Sequence, residues 1–298
     1  MSYYFVFDVG GTSIKYALMT DKGEFVHQDG IETPRTNIED FIEIIGSLVD
    51  SYKKEYRLKG VAASLPGAVE PDTGYIGGGS AVPYIHGPNV KKMLEERTGL
   101  PASIENDANC AGLAEGWLGA AKDVQNYICI VIGTGIGGCV VLNKKILRGK
   151  HYHGGEFGYM IMEDIFEEPY GKIWSSTAST QSLVRNVAKA KRMDYSSLNG
   201  KKVFEMAETG DKVVRQEIRK FYKRLATGIF NLQYIIDPEK ILIGGAISER
   251  DEVIEEINRL LKQMKNRVST LDIKVERCAY KNDANLVGAL YHFLTSNS

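Results

Sequence analysis

Apolar residues along this chain arrange in two periods that alternate from one end to the other. Short β-type runs fall at residues 3–9, 16–19, 60–65, 103–105, 127–132, 139–142, 240–243 and 273–277. Between several of them the apolar positions repeat with the spacing of one face of a helix. Phe41, Ile45, Leu48 and Tyr52 make such a stripe, and Thr36-x-x-Glu39 ahead of it has the form of a capping box. Val90, Leu94 and Arg97 make a second, stopped by Gly99-Leu100-Pro101. The longest stripe is Val214, Ile218, Phe221, Leu225, Ile229, Leu232 and Ile236, closed by Asp237-Pro238; Val253, Ile257, Leu260 and Met264 follow. Strands alternating with helices predict an α/β fold. The first two runs are too close for a crossover helix, so residues 3–19 predict a hairpin, and the sheets are expected to be mixed.

Two strand-like runs end in glycine-rich turns. The first is Asp8-Val9-Gly10-Gly11-Thr12-Ser13-Ile14-Lys15, the second Ile132-Gly133-Thr134-Gly135-Ile136-Gly137-Gly138. Glycine lets backbone N–H groups approach an anion closely. The Thr12 and Thr134 hydroxyls and Lys15 add donors, and Asp8 stands where a hydrated cation such as Mg²⁺ could be held through water. A Gly-Gly-Thr turn also serves in ordinary hairpins. Neither segment is a P-loop, and the second runs into β-prone residues 139–142 rather than a helix, so it reads as a hairpin whose turn faces a ligand. Gly244-Gly245 after the run at 240–243 repeats the theme. Paired turns of this kind predict a nucleotide bound between two halves of the chain.

Composition narrows the class. At 298 residues the chain is long enough for two domains. A net charge of -1 and no Lys/Arg-rich tract argue against a nucleic-acid partner, and no apolar run is long enough for a membrane span. The absence of a basic segment ahead of the first apolar run predicts no signal peptide. Cys110, Cys129, Cys139 and Cys278 lack metal-knuckle spacing, which fits a reducing cytoplasm without a disulfide framework. His151 and His153, without a Cys partner, read as no metal site.

Taken in order, Asp8-x-Gly10-Gly11-Thr12-x-x-Lys15, Glu105-Asn106-Asp107-Ala108-Asn109, Gly133-Thr134-Gly135-Ile136-Gly137-Gly138 and Gly244-Gly245 resemble the ROK family of sugar kinases essentially end to end. The segments Gly155-Glu156-Phe157-Gly158-Tyr159-Met160 and Asn282-Asp283-Ala284-x-Leu286-Val287-Gly288 are most similar to its bacterial β-glucoside kinases. The resemblance implies an actin-like ATPase fold of ribonuclease H-like type, with an interdomain cleft. It implies a small domain of residues 1–116 plus 283–298, a large domain of 117–282, and a homodimer. ATP and Mg²⁺ are the implied cofactors, and a small sugar is the implied substrate. By the same analogy Asp107 is the catalytic base, while Asn106, Glu156 and Gly67 bind the sugar. Each has a plainer reading beside it: Asn106-Asp107 can cap a helix, Glu156 can be a surface acid, and Pro66-Gly67 can be any turn.

Two departures shape the expected substrate. Family members typically carry Glu-x-Gly-His followed by a Cys-rich zinc motif. Here the His position is Tyr159, and residues 161–178 hold no Cys but Glu163, Asp164, Glu167 and Glu168. A phenol is a poor zinc ligand, so no zinc is expected and the sugar pocket should differ. Residues 74–89, with three consecutive glycines and Tyr75, Tyr84 and His86, can form a surface loop or border the acceptor. The expected reaction is phosphorylation of the 6-hydroxyl of a glucosyl unit in a β-glucoside such as cellobiose or gentiobiose. Glucokinase and N-acetylmannosamine kinase stand as alternatives, with a non-catalytic sugar sensor or a ROK-type transcriptional regulator more remote. The regulator needs a DNA-binding module ahead of the first turn, and none is expected because that turn begins at Asp8.

Overall fold

The computed structural model describes residues 1–166, 171–280 and 282–296. The chain divides into two compact units, 1–119 with 148–154 and 282–298, and 120–147 with 155–281. The expected acidic residues Glu167 and Glu168 lie outside the described residues.

The first unit opens with β1 (Tyr3–Val9), β2 (Ser13–Thr20) and β3 (Phe25–Glu32), an antiparallel meander. Helix α1 (Ile38–Lys53) follows, and its cap corrects the sequence reading: Asn37, not Thr36, accepts the Asp40 amide at 2.8 Å. An Asn side chain there satisfies one of the unpaired first-turn donors as well as Thr does. Next come β4 (Leu58–Leu65), the short pair β5 (Ala68–Val69) and β6 (Ile76–Gly77), and α2 (Val90–Thr98), closed by Gly99 in the left-handed region. Strand β7 (Ala102–Asn106) leads directly into α3 (Asp107–Trp117). The sheet runs β3-β2-β1-β4-β7, with β1, β4 and β7 parallel. Its alternate residues Phe5, Phe7, Val61, Ala63 and Ile104 meet α1 and α2 residues such as Phe41, Ile45 and Leu94 in one apolar core. Burying a Phe or Ile side chain there contributes roughly 1.5–3 kcal/mol.

The second unit repeats the plan. Strands β8 (Tyr127–Ile132), β9 (Ile136–Leu142) and β10 (Lys145–Ile146) form an antiparallel meander. Helices α4 (Trp174–Ala178), α5 (Thr180–Lys191), α6 (Gly200–Glu208) and α7 (Lys212–Ile236) precede β11 (Lys240–Gly244), α8 (Asp251–Lys265) and β12 (Val275–Arg277). The sheet order β10-β9-β8-β11-β12, with β8, β11 and β12 parallel, matches that of the first sheet strand for strand. Ile128, Ile130, Ile241 and Ile243 pack under Phe221, Leu225 and Ile257. Helix α9 (Ala284–Ser296) then completes the first unit. Close approach makes glycine necessary under it, because a Cβ on Gly60 would lie 2.1 Å from the Phe293 ring.

Among the described residues no helix is long and apolar enough to cross a membrane.

Candidate functional site

In the first unit, register builds a polar row across four strands. Lys15 on β2 pairs with Asp8 on β1, Asp8 with Ser64 on β4, and Ser64 with Glu105 on β7. Directly paired residues share a face of the sheet. This row therefore lies opposite the Phe7, Ala63 and Ile104 core face. Asp8 Oδ1 accepts hydrogen bonds from Ser64 Oγ at 2.7 Å and from Asn285 Nδ2 of α9 at 3.0 Å. Burial nevertheless pushes the Asp8 carboxyl above its ordinary value, against the pull of those bonds and of Lys15. The Lys15 ammonium donates to the Asn282 carbonyl at 3.0 Å.

Past Asp8 the turn is held tightly. The Gly10 amide donates to Ser13 O at 3.0 Å, and Thr33 Oγ1 donates to the Gly10 carbonyl at 2.7 Å. A Cβ on Gly11 would come 2.7 Å from the Ala81 methyl. Gly11 and Thr12 are exposed, as a turn that receives a ligand must be.

The β7–α3 junction carries Asn106 and Asp107. Asn106 caps α3, its Oδ1 accepting the Asn109 amide at 3.1 Å, while its Nδ2 donates to Gly67 O at 2.9 Å. The helix-cap reading and the site reading thus fall on the same residue. Asp107 is the first residue of α3, partly buried, with Oδ1 accepting the Ala108 amide at 2.8 Å. Gly67 has φ +111, a conformation that glycine adopts without strain, and its turn packs against Ile76 and His86. Residues 74–89 are more than a surface loop: Val82 and Ile85 are buried in the unit's core, and Ser80 Oγ lies 2.8 Å from His86 Nε2. Tyr84 packs against the core of the unit. Its ring packs near Phe41 and its hydroxyl donates to Pro34 O at 2.7 Å, so its apolar face is spent on the core. Tyr75 remains about half exposed.

Beneath the junction lies a set of residues that sequence reasoning missed. Glu105 is fully buried; its Oε1 accepts the Asn106 amide at 2.8 Å and Asn109 Nδ2 at 2.9 Å. Its Oε2 pairs with Arg148 Nη2 and lies 3.9 Å from His292 Nδ1. Burial holds the His292 ring below its ordinary pKa, so it is neutral near pH 7 and Arg148 is the counter-charge. His153 Nδ1 lies 2.6 Å from the His151 carbonyl oxygen.

In the second unit, β8 and β9 form the expected hairpin, and Gly133 and Thr134 are exposed at its turn. The turn is fixed from behind: Thr180 N donates to Gly133 O at 3.0 Å, and Ile136 N to Ser175 Oγ at 2.9 Å. Gly135 packs on Ser175. Gly133, Thr134 and Gly245 line one cavity of about 750 Å³, together with Phe204 and Arg250 among others. The Arg250 guanidinium sits 4.4 Å above the Phe204 ring. Gly244 is buried against Cys278 and does not line this cavity. Glu156 and Tyr159 stand exposed at either end of a short helical turn anchored by buried Phe157, and Tyr159 is 69% exposed. Following Tyr159, Glu163 pairs with Lys172 at 2.9 Å and lies 3.6 Å from Arg224. Among the described residues no cluster of three or more His, Cys, Asp or Glu side chains is placed to hold a metal ion.

Known proteins frame this geometry. The chain is 36% identical over 289 residues to a β-glucoside kinase of Listeria monocytogenes, spanning 97% of this chain and 96% of that protein. It is 33% identical over 290 residues to a β-glucoside kinase of Klebsiella pneumoniae, spanning 96% and 94%. A crystal structure of a ROK family protein from Streptococcus pneumoniae in complex with sucrose superposes with TM-score 0.89 at 37% identity, covering 99% of each chain. The repeated five-stranded sheets are those of the actin-like ATPase fold. With the ROK family model matching residues 4–296, the chain belongs to the ROK family.

Proposed function

We infer that this protein is an ATP-dependent sugar kinase that phosphorylates the 6-hydroxyl of a glucosyl unit in a β-linked glucoside. The observation that carries the reading is the β7–α3 junction, which sets a carboxylate beside an amide at the start of a helix, with β4 alone between its strand and the strand of Asp8. Transfer of a phosphoryl group needs placement, charge neutralisation and an acceptor for the hydroxyl proton. Asp107 takes that proton as the sugar oxygen bonds to the γ-phosphorus and the bond to the leaving β-phosphate oxygen breaks. Asn106 keeps one amide hydrogen and one lone pair beyond its two hydrogen bonds, enough to orient a sugar hydroxyl. Glu156 and Tyr159 complete the sugar-binding set.

The nucleotide phosphates are assigned to the turns of Gly10 and Gly11 and of Gly133 and Gly135, whose Gly10 and Gly133 amides hold the turns themselves in shape, and to Gly245, with Thr12, Thr134 and Lys15. The nucleoside is assigned to the cavity that Gly133, Thr134 and Gly245 line. Gly244 supports this turn from beneath. Asp8 fits a water-mediated Mg²⁺: both of its hydrogen bonds fall on Oδ1, Oδ2 remains, and a nearby cation offsets the cost of burying the charge. Mg²⁺, when bound, neutralises charge on the phosphates.

The β-glucoside assignment rests on the Listeria and Klebsiella relatives and on two features of this chain. Tyr159 presents an exposed phenol, and residues 74–89 set the Gly77 backbone beside the Gly67 turn and the Ala81 methyl beside the Gly11 turn. The second sugar ring is assigned to the side of these small residues. The test is ADP release with glucose, cellobiose, gentiobiose and N-acetylmannosamine, compared as kcat/KM. A higher value for either disaccharide supports the reading; a higher value for glucose or N-acetylmannosamine makes the protein the corresponding monosaccharide kinase.

A further inference from the structure

The buried Glu105–Arg148 pair has no place in the scheme above, yet it lies directly under the residues that scheme uses. We propose that Glu105, paired with Arg148, is the positioning residue that fixes Asn106 and Asp107 for phosphoryl transfer; this rests on Asp107 being the base. One Glu105 oxygen receives both the backbone amide of Asn106, at 2.8 Å, and the side-chain amide of Asn109, at 2.9 Å. Those two bonds clamp the end of β7 and the first turn of α3 to a single point. Asn106 is itself one of the clamped residues and Asp107 lies between them in sequence, so the backbone that carries both side chains is held at the junction. The other oxygen is given to Arg148.

A carboxylate is a costly choice for a fully buried position. A neutral side chain could accept one of these hydrogen bonds without the desolvation penalty. Two amide donors converging on one oxygen are better matched by a charged acceptor, since charge-assisted hydrogen bonds are shorter and stronger than neutral ones. Arg148 supplies the compensating charge, because the neighbouring His292 ring is neutral. Its donor forks are directional, which orients the carboxylate as well as neutralising it. Stability alone would be served by an apolar replacement; a fixed junction requires the pair.

The experiment compares Glu105→Gln, Arg148→Met, Arg148→Lys and the double variant Glu105→Gln/Arg148→Met with the parent protein. Each is measured for kcat, KM for sugar, KM for ATP and thermal midpoint. Misplacement of a reacting group by a fraction of an ångström to one ångström predicts a kcat loss of roughly 10–10²-fold for Glu105→Gln and Arg148→Met. KM for ATP should stay within about twofold, because the cavity and its turns belong to other elements. Arg148→Lys keeps the charge but not the directional fork, so it should recover kcat in part relative to Arg148→Met. The double variant should turn over no more slowly than the worse single variant, since neither charge is left alone. Should Glu105→Gln fail to fold, the contrast between Arg148→Met and Arg148→Lys decides.

A lowered thermal midpoint with kcat within about twofold overturns the proposal, because that is the signature of a merely structural pair. Proportional loss of kcat and of ATP affinity overturns it as well. Asp107→Asn, run in parallel, separates the two readings. If it turns over normally, the base assignment falls and this inference with it. If it is inactive while Glu105→Gln and Arg148→Met are normal, only the positioning role is lost.

Discussion

Replacing Gly245 with Ala tests the cavity assignment through backbone geometry. Gly245 adopts φ 88° and ψ 160°, a region essentially restricted to glycine. Forcing an L side chain there costs of order 1–3 kcal/mol. The added Cβ would also stand 2.2 Å from the Ile132 carbonyl oxygen, so the β11 turn has to move away from β8. Taking about 2 kcal/mol as the net loss, the thermal midpoint should fall by roughly 4–8 °C for a unit of this size. Gly245 and Ile132 both line the cavity, so KM for ATP should rise severalfold while KM for sugar stays put. Gly133→Ala is the matched control. A Cβ there meets nothing within 4 Å, yet Gly133 lines the same cavity. It should leave the thermal midpoint unchanged and still raise KM for ATP. Calorimetry and initial-rate kinetics read both effects. Unchanged ATP kinetics in both variants would sink the assignment of this cavity to the nucleotide, whatever happened to stability.

Other outcomes follow from the same geometry. Asp107→Asn keeps shape but removes the proton acceptor, so sugar binding should persist by calorimetric titration while kcat falls roughly 10²–10⁴-fold. Purified protein should carry no stoichiometric zinc by elemental analysis yet require Mg²⁺ for turnover; one tightly held zinc per chain would contradict the reading of Tyr159. Because burial lowers the native pKa of His292 below 6.5, the unfolded chain binds its proton first as pH falls. Stability should therefore decline below about pH 6.5 and level off above it, and His292→Gln should flatten that slope in denaturant titrations. A His292→Gln variant with the parental slope would assign the effect to other groups.

The elements visible in the sequence were those whose burial imposes a period. The stripe from Val214 to Ile236 appears as α7 with Asp237 as its cap, and the runs at 3–9 and 127–132 appear as β1 and β8 with the same limits. Strand β3 carries no such signal: it lies at the sheet edge, and nearly all its residues are exposed, so nothing selects an alternation. Helix α6 is short and its buried apolar residues, Val203 and Phe204, are too few to separate from a loop, whereas Leu183, Val184, Val187 and Ala188 of α5 do make a helical stripe, one that lacks a place among the helices predicted above. The cap at Asn37 was misplaced by one residue because Thr36 and Asn37 are both good caps and only the local backbone chooses. At the site, the glycines and the 105–109 segment were legible because their chemistry is local. The partners that hold Asp8 and the β7–α3 junction were not. Ser64, Asn285, Arg148 and His292 come from distant stretches, and only strand register and helix packing reveal what they touch.

Helix α9 imposes an order on biosynthesis. It belongs to the unit that begins with β1, yet a ribosome delivers it after everything in the second unit. Until residues 282–296 emerge, Asp8 lacks the Asn285 amide, Lys15 lacks the Asn282 carbonyl, and the Gly60 surface lacks Phe293. The second unit is therefore free to mature during translation, while the N-terminal half waits incomplete, an inversion of the usual first-made, first-folded sequence. A nascent chain released after residue 281 would hold one finished unit and one with an exposed apolar groove. Such a fragment is the kind that chaperones retain and proteases clear, so delivery of α9 becomes a condition for holding the Asp8 carboxylate in place.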